Sequence, residues 1–266
     1  MGLGWYDSST IPFNALLLLE RCQIGWFCAR EEIPIEVAVA FNANPHVLWY
    51  FQHKNPNVAP WVQKVKDARP KELSSFDIRK MEIKVFESVQ DWVAYVWDPS
   101  LYDQQPFMSE TLSRPLSTID FRNKWVLDVG AGTGNLSYQA AAACKVVYAC
   151  EPVGNLRDHI REESIRRNLR NLYVVDGMIE MLPFPDNTFD IVMGGYVFGD
   201  DMPAEMGELC RVTKEGGSIV LCPGNADLDN ERHSFLTEQG FSWERYEETK
   251  GRWVRKYWST VVKRSG

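Results

Sequence analysis

Apolar residues in the second half of the chain come in short runs, each closed by a turn-forming or charged residue and separated from the next by a helix-compatible stretch. The runs at 125–130, 146–151, 172–176, 190–194 and 217–222 have the length and β-branched content of buried strands. Strands alternating with helical segments predict a parallel sheet with right-handed crossovers. Phe241 to Glu247 and Trp253 to Val262 alternate apolar and polar side chains, which predicts two further, half-buried strands. The first 120 residues follow a different rhythm. Over Ser74 to Val96, the residues Ile78, Met81, Val85, Val89, Trp92 and Val96 share one helical face. Pro34 and Pro45 fit first-turn positions of helices, with Asn44 as a cap. The chain therefore reads as a mainly helical, aromatic-rich extension over residues 1–120 followed by an α/β sheet domain over 121–266.

The first predicted strand runs into VLDVGAGTGNLS (126 to 137), where Asp128 is followed by Gly130, Gly132 and Gly134 before a helical segment. A chain that leaves a buried strand, turns sharply and enters a helix with its backbone against a ligand needs residues without a Cβ. Tight turns without ligands use glycine too, so the loop alone leaves both readings open. The second strand ends in Cys150, Glu151 and Pro152, placing a carboxylate about 20 residues beyond the loop, where an acid either accepts hydrogen bonds from both ribose hydroxyls or is an ordinary exposed strand-end charge. A dinucleotide loop wants G-x-G-x-x-G, but this chain has G-A-G-T-G followed by Asn135. No G-x-x-x-x-G-K-[ST] occurs, which argues against a nucleoside triphosphatase.

Three segments together, LDVGAGTGNLS (127 to 137), YACEP (148 to 152) and MLPFPDNTFDIVMGG (181 to 195), resemble the class I S-adenosylmethionine-dependent methyltransferases, in particular the small-molecule group typified by ubiquinone and menaquinone C-methyltransferases. The resemblance implies a Rossmann-like, doubly wound, seven-stranded sheet, parallel except for an antiparallel C-terminal hairpin, with S-adenosyl-L-methionine as cofactor. It implies that Asp128 meets the ammonium of the cofactor's methionine part, that Gly130, Ala131, Gly132 and Gly134 line that end, and that Gly194 is a further cofactor contact. Glu151 would hold the ribose, Pro152 or Val153 would cover one adenine face, and Gly177, Met178 and Ile179 would border the other face and edge. Many relatives read G-D-A-E where this chain has Gly177, Met178, Ile179 and Glu180, so the acid that commonly meets the adenine amino group is missing, and Asp176 stands two positions early. In WDPSLYDQQPF, Tyr102 lies close to where related enzymes bring a tyrosine over the methionine end, which makes it a cofactor or lid contact, with plain packing as the alternative. The aromatic extension would then roof the substrate.

A sulfonium methyl is already electrophilic, so the protein must chiefly hold a nucleophile in line with it and exclude water; an acceptor with an acidic proton also needs a base. Candidates after the fourth strand are Tyr196, Phe198, Asp200 and Asp201. Either aspartate serves as a proton acceptor or simply caps the next helix, with Pro203 in its first turn. His233 is a pocket residue or a surface one. The formal net charge of −7 disfavours nucleic acid as a partner, and Arg161, Arg166, Arg167 and Arg170 sit beside Glu162 and Glu163 as a solvated helix face. Six cysteines and four histidines show no metal-ligand spacing and fit a reduced, cytoplasmic protein. No secretory or myristoylation signal appears, and Ala15 to Leu19 is far too short to cross a bilayer. Ten tryptophans fit either a large core or the interface of a homo-oligomer. These readings converge on methyl transfer to a small organic molecule, with O, N or C as accepting atom. Methylation of protein or tRNA, and a catalytically inactive cofactor-binding interaction module, stand as alternatives.

Overall fold

The computed structural model describes residues 6–29, 32–68, 74–105, 116 and 119–263. The chain divides into two compact units, Met1–Tyr102 and Asp103–Gly266.

The first unit is helical, with Arg21–Cys28, Ile35–Ala43, Pro45–Lys54, Ala59–Asp67, Ser75–Glu87 and Gln90–Trp97 as its main helices. Its core is aromatic: Phe13, Phe27, Phe41, Phe51, Trp61 and Phe86 are all buried, while Trp49, Phe76 and Trp97 are exposed. The rings meet edge to face, Phe13 on Phe41 at 5.2 Å and Phe41 on Trp61 at 5.4 Å between centroids, the geometry in which a positive ring edge faces a negative ring face. The continuous helix expected over Ser74 to Val96 is two helices. Ser88 closes the first by turning its hydroxyl back onto the Val85 carbonyl at 2.7 Å, and Val89 leaves helical geometry at φ −137°. The apolar rhythm survives the break because Val85 and Val89 are both fully buried. Pro45 does occupy a first turn, but Pro34 precedes its helix in extended conformation. Asn44 does not cap; its side-chain amide donates to the Ala40 carbonyl and to Glu82.

The second unit contains a seven-stranded sheet: β1 Trp125–Val129, β2 Val146–Cys150, β3 Leu172–Val175, β4 Phe189–Gly194, β5 Thr213–Ala226, β6 Ser242–Thr249 and β7 Arg252–Thr260. Their order is β3-β2-β1-β4-β5-β7-β6. The first five run parallel, and β7 lies antiparallel to both β5 and β6. This is the doubly wound architecture the sequence predicts, with helices between β1 and β2, β2 and β3, and β4 and β5, whereas the β3–β4 connection carries no helix. Leu127, Val129, Val192, Ile219 and Leu221 belong to one buried cluster and Val126, Val147, Ala149, Met193 and Val220 to another. Successive strand residues face opposite sides, so both faces are covered and the strands read as nearly unbroken apolar runs. Leu116 packs in the second cluster and the second unit begins at Asp103, before the boundary expected at residue 120. From β1 the chain winds outward through β2 and β3, then returns to place β4 on the other side of β1. That reversal opens a crevice beyond the carboxyl ends of β1, β2 and β4, where ligands of such sheets bind.

Candidate active site

The glycine loop leaves β1 at this reversal. Gly132 has φ +58° and no atom within 4 Å of the position a Cβ would take, so conformation alone demands glycine there. Gly134 has φ +91°, and a Cβ on it would fall 2.7 Å from the Tyr138 ring one helical turn on. At Gly130 a Cβ would lie 2.5 Å from the side chain of Val197, which follows β4. The loop and the end of β4 are thus in direct contact.

Asp128 is 1% exposed. Ser137, in the first turn of the helix after the loop, donates to its Oδ2 at 2.6 Å, while Oδ1 has no hydrogen-bond partner. Burial pushes its carboxyl up to about 7, against the lowering effect of Ser137. A buried carboxylate with one oxygen unsatisfied is costly in isolation and well suited to a cation that brings N–H donors.

Glu151, 4% exposed, stands at the end of the neighbouring strand β2. Its Oε2 accepts the Gly132 N–H and its Oε1 the Val153 N–H, both at 2.9 Å. Burial pushes this carboxyl up to about 7, with those two N–H groups and Arg157 pulling the other way. The carboxylate clamps the loop to the segment after β2, and each oxygen keeps acceptor capacity for a hydroxyl. Arg157 donates to the carbonyls of Glu151 and Pro152 and to Asp176, tying the end of β2 to the end of β3. Asp176 is exposed and engaged with that arginine. Gly177 is a packing glycine, since a Cβ would meet Cys150 Sγ and Pro183 at 2.7 Å. Ile179 is buried in the sheet cluster, and Met178 pairs with Met181 in a short backbone bridge.

On the β4 side, Gly194 is buried with its α-carbon against the Val129 carbonyl. Tyr196 takes φ +57°, a left-handed conformation that costs a residue of this size of order 1–2 kcal/mol, and its N–H donates to the Pro223 carbonyl at 2.8 Å. Its hydroxyl donates to Glu248 and accepts from Arg252 at 3.2 Å. Asp201 does cap the helix Met202–Val212, accepting the Ala204 N–H, and Asp200 is exposed. The central acid of this turn is Glu205, fully buried, which accepts the N–H groups of Gly199, Asp200 and Asp201 at 2.6, 2.8 and 2.9 Å. Phe198 belongs to the core, in contact with Phe235. His233 is half-buried, with Nδ1 2.9 Å from the Tyr257 hydroxyl and its ring edge-on to Trp243. Tyr102 lies at the end of the helical unit with its ring against Tyr95 at 5.3 Å. Phe107 falls outside the described residues.

The structure thus gathers Asp128, the glycines, Glu151, Pro152 and Gly177 with Gly194 and Tyr196 around the carboxyl ends of β1, β2, β3 and β4. Sequence reasoning missed Ser137, Arg157, Glu205, Glu248 and Arg252. Ser137 stands within the glycine motif, at the position where a first helical turn faces back to the strand. Glu248 is 52 residues from Tyr196 and carries no local signal. Among the described residues no group of three or more His, Cys, Asp or Glu is placed to hold a metal, and no helix is long and apolar enough to cross a membrane.

A family model described as a methyltransferase domain matches residues 127–221. An uncharacterized methyltransferase of Anoxybacillus flavithermus is 30% identical over 100 residues, covering 36% of this chain and 45% of that protein. Demethylmenaquinone methyltransferase of Thermobifida fusca is 34% identical over 105 residues, covering 38% of this chain and 44% of that protein. The chain therefore spans less than half the length of these relatives. A solved structure of an S-adenosylmethionine-dependent methyltransferase from Aquifex aeolicus is 19% identical, with a TM-score of 0.47 over 64% of this chain and 92% of that one.

Proposed function

We propose that the sheet unit is a class I S-adenosylmethionine-dependent methyltransferase domain and that this protein transfers the cofactor's methyl group to a small organic molecule. The observation that carries the reading is the buried Asp128 with its unpartnered Oδ1 beside the glycine loop, an anionic socket that matches the ammonium of the cofactor's methionine part. Bound S-adenosylmethionine supplies an electrophilic methyl on sulfur. Everything else falls to the chain's own residues.

Asp128 fixes the ammonium, with Ser137 holding the carboxylate in place. Gly130, Ala131, Gly132 and Gly134 let backbone approach the methionine end without side-chain obstruction. Glu151 accepts the ribose hydroxyls while its backbone donors keep it oriented. Pro152 and Val153 flank adenine on one side, with Gly177, Met178 and Ile179 on the other. Arg157 holds these two segments together and occupies Asp176, which leaves backbone groups around Met178 to meet the adenine edge. The aromatic helical unit is assigned acceptor selectivity. The net charge of −7 supports a small molecule over a polyanionic acceptor.

The test is incubation of the purified protein with methyl-labelled S-adenosylmethionine and a whole-cell extract, followed by fractionation. Label in the small-molecule fraction is the expected result. Label confined to protein or RNA overturns the substrate class, and calorimetry showing NAD bound in preference to S-adenosylmethionine overturns the cofactor.

A further inference from the structure

Beyond the donor site, the carboxyl edge of the sheet holds a second polar group built from three distant parts of the chain. Tyr196 follows β4, Glu248 lies near the end of β6, and Arg252 opens β7. The Tyr196 hydroxyl donates to Glu248 Oε1, Arg252 Nη2 donates to the Tyr196 oxygen at 3.2 Å, and Arg252 Nε pairs with Glu248 Oε2 at 3.1 Å. Glu248 is 2% exposed, whereas Tyr196 is 44% exposed. The carboxylate is therefore buried behind a phenol that solvent and ligands can reach. Tyr196 is one of four non-glycine residues with positive φ among the described residues; the other three are asparagines, which visit that region at little cost. A bulky tyrosine held there over a buried acid marks a position that the fold over-determines. Its neighbour Val197 packs against Gly130 of the glycine loop, so the backbone that carries Tyr196 adjoins that loop.

We propose that Tyr196 is a catalytic residue that takes the proton from an acceptor carrying an O–H or N–H group and relays it to Glu248, a step that rests on the methyltransferase reading above. As the acceptor's O or N bonds to the methyl carbon, the sulfur–carbon bond breaks and its electron pair stays on sulfur. The acceptor proton passes to the Tyr196 oxygen while the Tyr196 proton passes to Glu248 Oε1. The positive charge on sulfur and the negative charge on Glu248 disappear together, so no net charge is created in the buried site. Arg252 steadies the phenol oxygen as it exchanges protons and holds Glu248 in register. Two more titratable groups face this cluster, the Tyr246 hydroxyl from β6 and the Cys222 thiol from β5, 3.4 Å apart. Burial pushes Cys222 up to about 11 and Tyr246 well above the ordinary phenol range, so neither changes charge near neutrality.

The test uses the full chain, methyl-labelled S-adenosylmethionine and a deproteinised metabolite extract as acceptor source. Initial labelling rates are compared for the wild type, Tyr196→Phe, Glu248→Gln and Glu248→Asp from pH 6 to pH 9. Loss of a general base slows labelling by roughly 100-fold or more in Tyr196→Phe and Glu248→Gln, with partial recovery in Glu248→Asp. At saturating S-adenosylmethionine the loss in Tyr196→Phe and Glu248→Gln appears in the maximal rate and not in the apparent KM for the methyl donor, a split that a purely structural role would not produce. S-adenosylhomocysteine affinity stays within about twofold, since the donor socket is untouched. Wild-type rates in either Tyr196→Phe or Glu248→Gln overturn the proposal while leaving the methyltransferase reading intact, as does a loss that parallels weakened S-adenosylhomocysteine binding. Absence of small-molecule label with the wild type itself overturns the reading and the proposal together.

Discussion

The two sides of the crevice use buried acids in opposite ways. At the ends of β1 and β2, Asp128 and Glu151 sit in low-dielectric surroundings that drive both carboxyls up to about 7, and Asp128 keeps an oxygen without a partner. At the ends of β4 and β6, Glu205 takes three backbone N–H groups and Glu248 takes a phenol and a guanidinium. Asp128 is unfinished without a ligand; Glu205 is complete within the chain. An acid that the fold leaves unsatisfied is a binding residue in waiting, whereas one satisfied internally shapes backbone or carries protons.

Replacing Glu205 breaks this comparison most severely if it is wrong. Glu205→Ala strands three N–H groups at the start of the helix Met202–Val212, and should destabilise the protein by about 3 kcal/mol in denaturant unfolding. At temperatures where it remains folded, its S-adenosylhomocysteine affinity should match the wild type. A stable variant with weakened affinity would move Glu205 to the ligand side. Asp128→Ala should do the converse, lowering S-adenosylhomocysteine affinity by at least about 100-fold in calorimetry through loss of a buried charge pair, with no loss of stability at pH 8. Glu151→Ala is expected to weaken binding by about 2 kcal/mol, because hydroxyls lose a charged acceptor and the loop loses its clamp. Unchanged affinity would leave Glu151 as a purely structural clamp.

Much of this half of the molecule was legible in the sequence because its signals are local. Strand, glycine turn and helix follow one another within a dozen residues of Val126, and Glu151 closes the next strand, so Asp128, Gly132 and Glu151 needed no tertiary knowledge. The apolar runs predicted every strand to within a few residues, since strands buried on both faces leave little choice of composition. The far side was not legible. Tyr196 stood out by position, but its partners Glu248 and Arg252 come from an edge hairpin whose polar residues look solvent-facing until β7 inserts between β5 and β6. The acids Asp200 and Asp201 drew attention by type, while Glu205, the one that organises the turn, read as an ordinary helix residue. In the helical unit, periodicity could not detect the break at Ser88 because both helices keep the same buried phase across it.

The smallest effect is the most direct probe of Asp128. A carboxyl raised from its ordinary 3.8 to about 7 by burial stays protonated in the folded protein after it has ionised in the unfolded chain. Its contribution to stability is therefore present in full below pH 4 and is lost as pH rises through about 7. Binding runs the other way, since a ligand ammonium requires the ionised form. Between pH 6 and pH 8, S-adenosylhomocysteine affinity should rise by up to about tenfold while the ligand-free protein loses stability, and binding near pH 6.5 should release protons, visible as a calorimetric heat that depends on the buffer. Ser137→Ala removes the hydroxyl that stabilises the ionised form, so the affinity rise should shift to higher pH. An affinity flat across this range would mean that Asp128 is ionised throughout, and its burial would then be compensated by the fold rather than by the ligand.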